Sequence, residues 1–162
     1  MRKIAGMIAV AGLLLVLAMM FSGCESCYYQ AGARSTPEFV AARGARVYVH
    51  APRDKALADR IDPLVRSEIS RLGFSVVSDP GNCDLIAYYY YSYDLQEPSY
   101  IHDFMVVFKP YPGDKPAVMA SASCYHPCSS NTTDYANPGR EVHEAFSALR
   151  HKIKAATGGC GS

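Results

Sequence analysis

Polar and apolar residues alternate in five segments of the chain and recur at helical spacing in two others. The alternating segments are rich in β-branched and aromatic residues, which predicts strands at 46–51, 74–78, 84–94, 101–109 and 117–125. Apolar residues three or four positions apart predict two amphipathic helices. Their apolar positions are Leu57, Ile61, Leu64, Val65, Ile69 and Leu72 in the first helix, and Val142, Ala145, Phe146, Leu149, Ile153 and Ala156 in the second. The predicted order of elements is β-α-β-β-β-β-α.

Two amphipathic helices need an apolar sheet face to cover. The pattern therefore predicts an α+β fold, a two-layer sandwich with two helices on one face of a mostly antiparallel, four- to five-stranded sheet. The other face of the sheet is expected to be open, and the domain is expected to span residues 46–156. Residues 24–45 are small, polar and without periodicity, which predicts a flexible tether, and residues 157–162 are expected to form a disordered tail.

The first predicted helix contains a proline and is followed by a glycine. Either Asp62 caps the helix with Pro63 at its first position, or an earlier helical turn joins it at a kink. Gly73 follows the last apolar position and suits a helix end, because glycine readily adopts the left-handed backbone conformation found there. The pattern thus predicts where this helix ends and leaves two alternatives for how it begins.

The chain begins with two basic residues, Arg2 and Lys3, followed by the uncharged, mostly apolar run 4–21. This order is typical of a secretory signal peptide. The run ends in Ser22-Gly23-Cys24, which resembles the bacterial lipobox. That resemblance implies cleavage between Gly23 and Cys24, a diacylglycerol on the Cys24 sulfur and an acyl chain on the new amino group, and it implies no other cofactor.

Two other interpretations of this segment stay open. A run of about 17–25 apolar residues can span a bilayer uncut, and an ordinary signal peptide could be removed beside an unmodified cysteine. In each case the domain is expected outside the cytoplasm. In lipoproteins of the enterobacterial type an aspartate after the lipidated cysteine favours the inner membrane. Glu25 stands there instead, so the resemblance favours the periplasmic face of the outer membrane.

A second resemblance covers roughly residues 46–156. The helical segment 64–74 ends in Leu72-Gly73-Phe74, and segment 83–90 opens the longest predicted strand with Cys-Asp-Leu. This pattern is similar to that of small bacterial envelope lipoproteins of unknown function. The resemblance implies an α+β domain in the cell envelope and attaches no activity to it.

Removing residues 1–23 leaves 139 residues, which is enough for one domain with its own core. It also changes the formal charge from +1 to −1, because the removed segment carries two basic residues and no acidic one. A near-neutral chain without basic clusters in its sequence argues against a nucleic acid as partner.

With Cys24 set aside, five cysteines remain, an odd number for a compartment that favours disulfides. Cys124 and Cys128 are the best local candidates for a disulfide. Cys83 paired with either of them is the long-range alternative, and a reduced structural thiol at Cys83 is a third. Cys124, His126 and Cys128 also place three soft-metal ligands close together, although zinc sites usually show tighter, paired spacing.

The chain has twelve tyrosines and no tryptophan, and the strand at 84–94 is the most tyrosine-rich segment. Alternation places Tyr89, Tyr91 and Tyr93 on one face of this strand and Tyr88 and Tyr90 on the other. Because tyrosine is apolar in its body and polar at its tip, one row could form a platform for a protein, a glycan or peptidoglycan. Both rows could equally pack beside cross-strand neighbours. A shift of one residue in register exchanges the rows.

The sequence contains no Gly-x-Ser-x-Gly elbow, phosphate-binding loop or HExxH pair. Asp84, Asp94 and Asp103 lie near the ends of predicted strands and form the candidate carboxylate cluster. Glu141 and His143 are expected on the solvent side of the second helix. No catalytic residue and no metal site are therefore assigned.

These features together predict a lipid-anchored periplasmic protein that binds or scaffolds another envelope component without catalysing a reaction. Its expected partners are the membrane, through the anchor on Cys24, and an envelope protein or glycan. The alternative is a thiol, disulfide or metal-binding envelope protein that uses Cys124, His126 and Cys128. A hydrolase with an unrecognised site is a more remote alternative.

Overall fold

The computed structural model describes residues 29–52, 57–93, 101–113, 117–125 and 139–158. These residues form an α+β fold with six strands and three helices. In chain order the elements are β1 (Gln30–Ser35), α1 (Pro37–Ala41), β2 (Arg46–His50), α2 (Ala58–Arg71), β3 (Ser75–Val77), β4 (Leu85–Tyr93), β5 (Ile101–Pro110), β6 (Ala120–Tyr125) and α3 (Gly139–Gly158). The α+β class is confirmed, and each predicted strand and helix is present.

The strands form one sheet in the order β1-β6-β5-β4-β2-β3. The pairings β1–β6, β6–β5 and β5–β4 are antiparallel, whereas β2 is parallel to both β4 and β3. The parallel pair β2 and β3 is joined by α2, because parallel neighbours need a crossover connection. The sheet is therefore mixed, and the predicted count of four to five strands was too low.

The segment predicted as a tether contains the missing strand and a third helix. Strand β1 pairs along its whole length with β6, from Gln30 opposite Tyr125 to Ser35 opposite Ala120. In α1 the Thr36 hydroxyl accepts a hydrogen bond from the Phe39 N–H at 3.3 Å, and a proline follows the cap. The domain boundary at residue 46 was therefore wrong, and the domain extends at its other end into α3 as far as Gly158.

The core lies between the helices and one face of the sheet. Alternate residues of β5 point into it, and α3 packs across β1, β5 and β6. The small residues Ala120 and Ala122 of β6 let this helix approach the sheet closely. The predicted apolar helix positions that are buried are Ile61, Val65 and Ile69 in α2, Leu57 and Leu72 at its two caps, and Val142, Ala145, Phe146, Leu149 and Ile153 in α3.

An aromatic cluster anchors α1 to this core. The ring centroid of Phe39 lies 5.1 Å from that of Phe74 and 4.9 Å from that of Phe108. Phe39 is fully buried. Aromatic pairs at such distances add to the stabilisation that their burial gives. The five residues of α1 are therefore fixed by packing rather than by their own helix propensity.

Helix α2 is continuous through its proline. It begins at Ala58 and contains Pro63 in its second turn. The alternative with Asp62 as the cap was therefore wrong. The helix ends as the sequence predicted, because Gly73 follows it with a φ of 92°.

Candidate functional site

The sheet face that no described helix covers is the candidate functional site, and we call it the open face. Because Phe104, Val106 and Phe108 point into the core, their neighbours in β5 and the residues paired with those neighbours point outward. The open face includes Tyr48, His50, Ile86, Tyr88, Tyr90, Ser92, Asp103, Met105, Val107, Lys109, Ser121, Ser123 and Tyr125.

The most exposed part of the open face is the end formed by β4, β5 and β6. Tyr90 is 50% exposed, Tyr125 45% and Met105 41%. Tyr90 pairs with Met105 across β4 and β5, and Met105 pairs with Ser123 of β6. Side chains in such pairs contact each other directly. Tyr90, Met105 and Tyr125 are neighbours at this end of the face, with Ser123 and Asp103 paired directly beside them, and we call these three side chains the Tyr–Met cluster.

The two rows of tyrosines in β4 lie on opposite faces of the sheet. Tyr88 and Tyr90 are on the open face, where Tyr88 is half-buried. Tyr89, Tyr91 and Tyr93 are on the helix-covered face, and Tyr89 is 1% exposed. Of the five tyrosines predicted as a partner-binding face, only Tyr88 and Tyr90 are therefore placed to contact a partner there.

The inner row packs under α2 and uses its polar tips to contact that helix. The ring centroids of Tyr89 and Tyr91 are 6.3 Å apart. The Tyr89 hydroxyl donates to Asp62 Oδ1 at 3.4 Å, and the Tyr91 hydroxyl accepts from the Leu57 N–H at 3.4 Å. Burial, followed by the negative charge of Asp62, raises the pKa of Tyr89 well above its ordinary value. The inner tyrosines are therefore part of the core.

The opposite end of the open face carries positive charge. The His50 ring lies 5.1 Å from the Tyr88 ring, and the Lys109 ammonium lies 5.5 Å from the Tyr88 centroid. A cation at this distance from an aromatic ring is attracted by its electron-rich face. The open face thus has a weakly basic end around Tyr88 and a more apolar end at the Tyr–Met cluster.

A pocket of about 430 Å³ lies beside the Tyr–Met cluster. Its lining comes from the end of β4, the start of β5 and the end of β6: Tyr90, Tyr91, Ser92, Asp103, Phe104, Met105, Ser123, Cys124 and Tyr125. The carboxylate of Asp103 accepts a hydrogen bond from the Ser92 hydroxyl at 2.8 Å. This lining is mostly apolar, with a few polar groups at one side, as in sites that take an apolar side chain or ligand.

Cys124 lines this pocket but is itself 1% exposed. Burial raises its pKa to about 12, and the carboxylates of Glu141, Glu144 and Asp103 add to the effect. A thiol with such a pKa is neutral at physiological pH and is a poor nucleophile and metal ligand. Cys124 is a free thiol in this structure.

The long-range disulfide between Cys83 and Cys124 is excluded by the sheet. Cys83 precedes β4, while Cys124 is level with the far end of that strand, through the pairs Cys124–Phe104 and Phe104–Tyr91. Eight residues of strand separate positions 83 and 91, which is roughly 26 Å. Cys83 is instead a buried free thiol, and its Sγ donates to the Pro80 carbonyl at 3.1 Å. The alternative of a reduced structural thiol fits this position.

The predicted carboxylate cluster does not assemble from its described members. Asp84 lies at the start of β4, where it contacts Arg46 at 2.9 Å, and the hydrogen bonds from Arg46 lower its pKa to about 2. Asp103 lies at the other end of the sheet, opposite Ser92. In the part of the chain that the structure describes, no three His, Cys, Asp or Glu side chains are grouped to hold a metal ion.

Glu141 was expected on the solvent side of the second helix, and this was wrong. It is 4% exposed, its Oε2 has no hydrogen-bond partner among the described residues, and burial raises its pKa. The first turn of α3 lies close to both Cys124 and Tyr29, the residue before β1, over which the Arg140 guanidinium sits at 4.6 Å. Glu141 is therefore buried although Arg140 and His143 of the same turn are exposed, a local arrangement that helical periodicity cannot reveal.

Several predicted residues lie outside the described residues: Gly23, Cys24, Asp94, His126 and Cys128. The lipid anchor and the Cys124–Cys128 disulfide therefore stay predictions, and so does the ligand set of Cys124, His126 and Cys128. The helices that the structure describes include none with the length and apolar character needed to cross a bilayer.

No protein-family model and no curated protein matches the chain. Among solved structures, it is similar to a DUF4136 family protein from Bacteroides thetaiotaomicron, at 10% identity over 80% of this chain and 96% of that one, with a TM-score of 0.49. It is also similar to a PelC dodecamer from Paraburkholderia phytofirmans, at 13% identity over 78% of this chain and 97% of that one, with a TM-score of 0.44. These similarities concern the fold and extend to no activity or partner.

Proposed function

We propose that this chain is a lipid-anchored, non-enzymatic module of the bacterial cell envelope that binds another envelope protein through its open face. The observation that carries the proposal is the Tyr–Met cluster, where Tyr90, Met105 and Tyr125 are exposed beside a pocket of about 430 Å³. Aromatic residues and methionine are enriched in protein interfaces. A partner side chain that fills such a pocket is the usual form of an interaction hot spot.

The chemistry of the pocket favours a protein over a glycan. A glycan carries many hydroxyl groups, and each one buried without a hydrogen bond costs free energy. The surface of the pocket is mostly apolar, and its side chains Ser92, Asp103 and Ser123 offer hydrogen bonds only at one side. An apolar or aromatic side chain of a protein places no such demand on the pocket.

The predicted anchor and the position of β1 together suggest that the partner lies near the membrane. Strand β1 begins at Gln30, only six residues after the predicted lipid on Cys24. A chain of six residues spans at most about 20 Å. Lipidation of Cys24 would therefore hold the domain close to the bilayer, within reach of membrane proteins or of the periplasmic parts of envelope complexes. Mass spectrometry of the mature N-terminus tests this step directly.

Site-specific photocrosslinking of the full-length chain in its own cell tests the binding proposal. A photoreactive residue is placed at Tyr90, at Met105 or at the control position Lys152, which is exposed on α3. The same partner protein should crosslink from Tyr90 and from Met105 and not from Lys152. Adding Tyr125→Ser should reduce the crosslinked yield roughly tenfold or more, because truncating a hot-spot aromatic weakens binding to that extent.

The control for this experiment is folding. Tyr125→Ser should leave the unfolding transition of the chain unchanged, since the side chain is exposed at the end of β6. Equal yields from all three positions, or a partner captured from Lys152 alone, would show that the open face is not the binding surface.

A further inference from the structure

A second pocket lies among the helices, on the other side of the sheet from the open face. It forms where the end of α2, the last turns of α3 and the segment after α1 meet, and its volume is about 140 Å³. We call it the basic pocket. Its lining residues are Arg43, Arg71, Leu72, Arg150, Ile153, Lys154 and Thr157.

Four of these side chains are cationic, and one carboxylate is paired with them. Glu68 Oε1 accepts from Arg71 Nη1 at 2.9 Å, and Glu68 Oε2 accepts from Arg150 Nη1. With the residues that the structure describes, Arg43 and Lys154 form no ion pair. Counted together with Glu68, which lies outside the lining, the four cations of the basic pocket exceed the negative charge by three.

Helix dipoles explain only part of this concentration of charge. The C-terminal end of a helix attracts cations, which suits Arg71 in the last turn of α2. The effect falls off within the last turn and is screened by salt. Arg43 lies just after α1, and its guanidinium is beside Gly73, just after α2, so helix ends attract it as well; the partial charge at each end, about half an elementary charge, does not neutralise four cations. Like charges brought together in this way repel unless an anion lies between them.

Glu68 fixes two of the four cations, Arg71 and Arg150, while Arg43, Arg71 and Lys154 are exposed to solvent. Glu68 is 5% exposed and fixes one nitrogen of each of the two arginines it binds, which leaves their other N–H groups available. The Arg43 guanidinium lies against the backbone of Gly73, where a Cβ would be 3.5 Å from its Nε and Nη2 atoms.

We propose that the basic pocket binds a phosphate-type anion, either free phosphate or the phosphodiester headgroup of an anionic lipid. A guanidinium group presents its N–H donors in a planar fork that matches phosphate oxygens, and lysine adds a mobile point charge. A volume of about 140 Å³ holds several waters at roughly 30 Å³ each, which is room for a tetrahedral oxyanion. This site shares no residue with the open face, so its test is independent of the test of the proposed function.

Calorimetric titration of the full-length chain in phosphatidylcholine nanodiscs with inorganic phosphate tests the proposal, at ionic strength held constant with chloride. Saturable binding in the millimolar range or tighter is expected. The double variant Arg43→Gln and Lys154→Gln should weaken it by at least about tenfold, since each lost charge-assisted hydrogen bond accounts for about that factor. The control variant Lys152→Gln removes the same charge from α3 outside the pocket and should bind as the unmodified chain does.

A second arm separates the two sources of the anion. Nanodiscs doped with phosphatidylglycerol should compete with inorganic phosphate if the headgroup enters the pocket, and should leave phosphate binding unchanged if the pocket takes the free anion. Both results support the proposal. It is overturned if neither phosphate nor phosphatidylglycerol binds, or if Lys152→Gln weakens binding as much as the double variant does.

Discussion

Neighbouring tyrosines of β4 differ completely in their surroundings on the two faces of the sheet. Tyr89 is 1% exposed on the covered face, where its hydroxyl donates to Asp62 of α2. Tyr90 is 50% exposed on the open face, opposite Met105. The residue type is identical and the backbone is continuous. What differs is the presence of a helix, so the role of each tyrosine is decided by tertiary packing and not by strand propensity.

Two charged groups of the molecule, Glu68 and Asp84, also differ in whether they are buried or exposed. Glu68 is buried between α2 and α3 and binds Arg71, Arg150 and His143. Asp84 binds one arginine at the exposed end of the sheet. A buried charge depends on its partners far more than an exposed one, because water cannot replace them. The helix-covered side should therefore govern stability, and the open face should govern binding.

The largest expected effect on stability is at Phe39, which places α1 in the core. Phe39→Ala should destabilise the protein by about 3–5 kcal/mol, because it removes a fully buried ring that contacts Phe74 and Phe108. Tyr125→Ala removes an aromatic ring of similar size from the open face and should change the free energy of unfolding by no more than about 0.5 kcal/mol. Urea unfolding followed by circular dichroism measures both. Similar decreases in the free energy of unfolding in the two variants would contradict the inference that the helix-covered face governs stability.

Glu68 should be the next most sensitive position, and its contribution should depend on pH. Burial acts to raise the pKa of Glu68, but the hydrogen bonds from His143 and Arg150 and the charges of Arg150 and Arg71 outweigh it, so the pKa lies below its ordinary value. A carboxylate whose pKa is lowered on folding stabilises the protein above its unfolded pKa of about 4.3. That contribution is lost as the pH falls through the lower, folded pKa.

Glu68→Gln should therefore cost about 1–3 kcal/mol at neutral pH, the range for losing hydrogen bonds to charged groups. The difference from the unmodified chain should shrink as the pH falls below about 4.3. Asp84→Asn is the matched control, because Asp84 also pairs with an arginine but is exposed, and it should have a smaller effect at neutral pH. Denaturant unfolding across the acid range gives both profiles, and a Glu68→Gln difference independent of pH would argue against a stabilising ionised carboxylate.

The regular elements of this fold could be predicted because their periodicity is imposed by burial on one side. Strand β1 and helix α1 could not be found this way. Ala31, Gly32 and Ala33 show no alternation of polarity, and their structure follows from pairing with β6 and packing under α3. The one local signal was Thr36 followed by Pro37, a helix cap with proline at the first position. Phe39, three residues after Thr36, is then the residue expected to be buried in a short helix.

The candidate site could be predicted only in part, for a related reason. The tyrosine strand was identified, but alternation gives two rows without saying which one a helix covers. The Tyr–Met cluster was missed because Met105 and Tyr125 come from two other strands. The basic pocket was missed because Arg43, Arg71 and Lys154 are far apart in the sequence and are brought together by three separate elements.

The variant pair with the smallest expected effect on stability gives the most direct comparison of the two faces of the sheet. Tyr89→Phe removes only the hydroxyl that donates to Asp62 and should destabilise the protein by about 1 kcal/mol, the usual contribution of a buried hydrogen bond. Tyr90→Phe removes the same atom from an exposed position and should leave the free energy of unfolding unchanged. Both variants keep the ring, so packing is nearly constant and the comparison isolates the hydroxyl. Equal effects in the two variants would mean that the Tyr89 hydroxyl is as well solvated as that of Tyr90, and that α2 does not seal this face of β4.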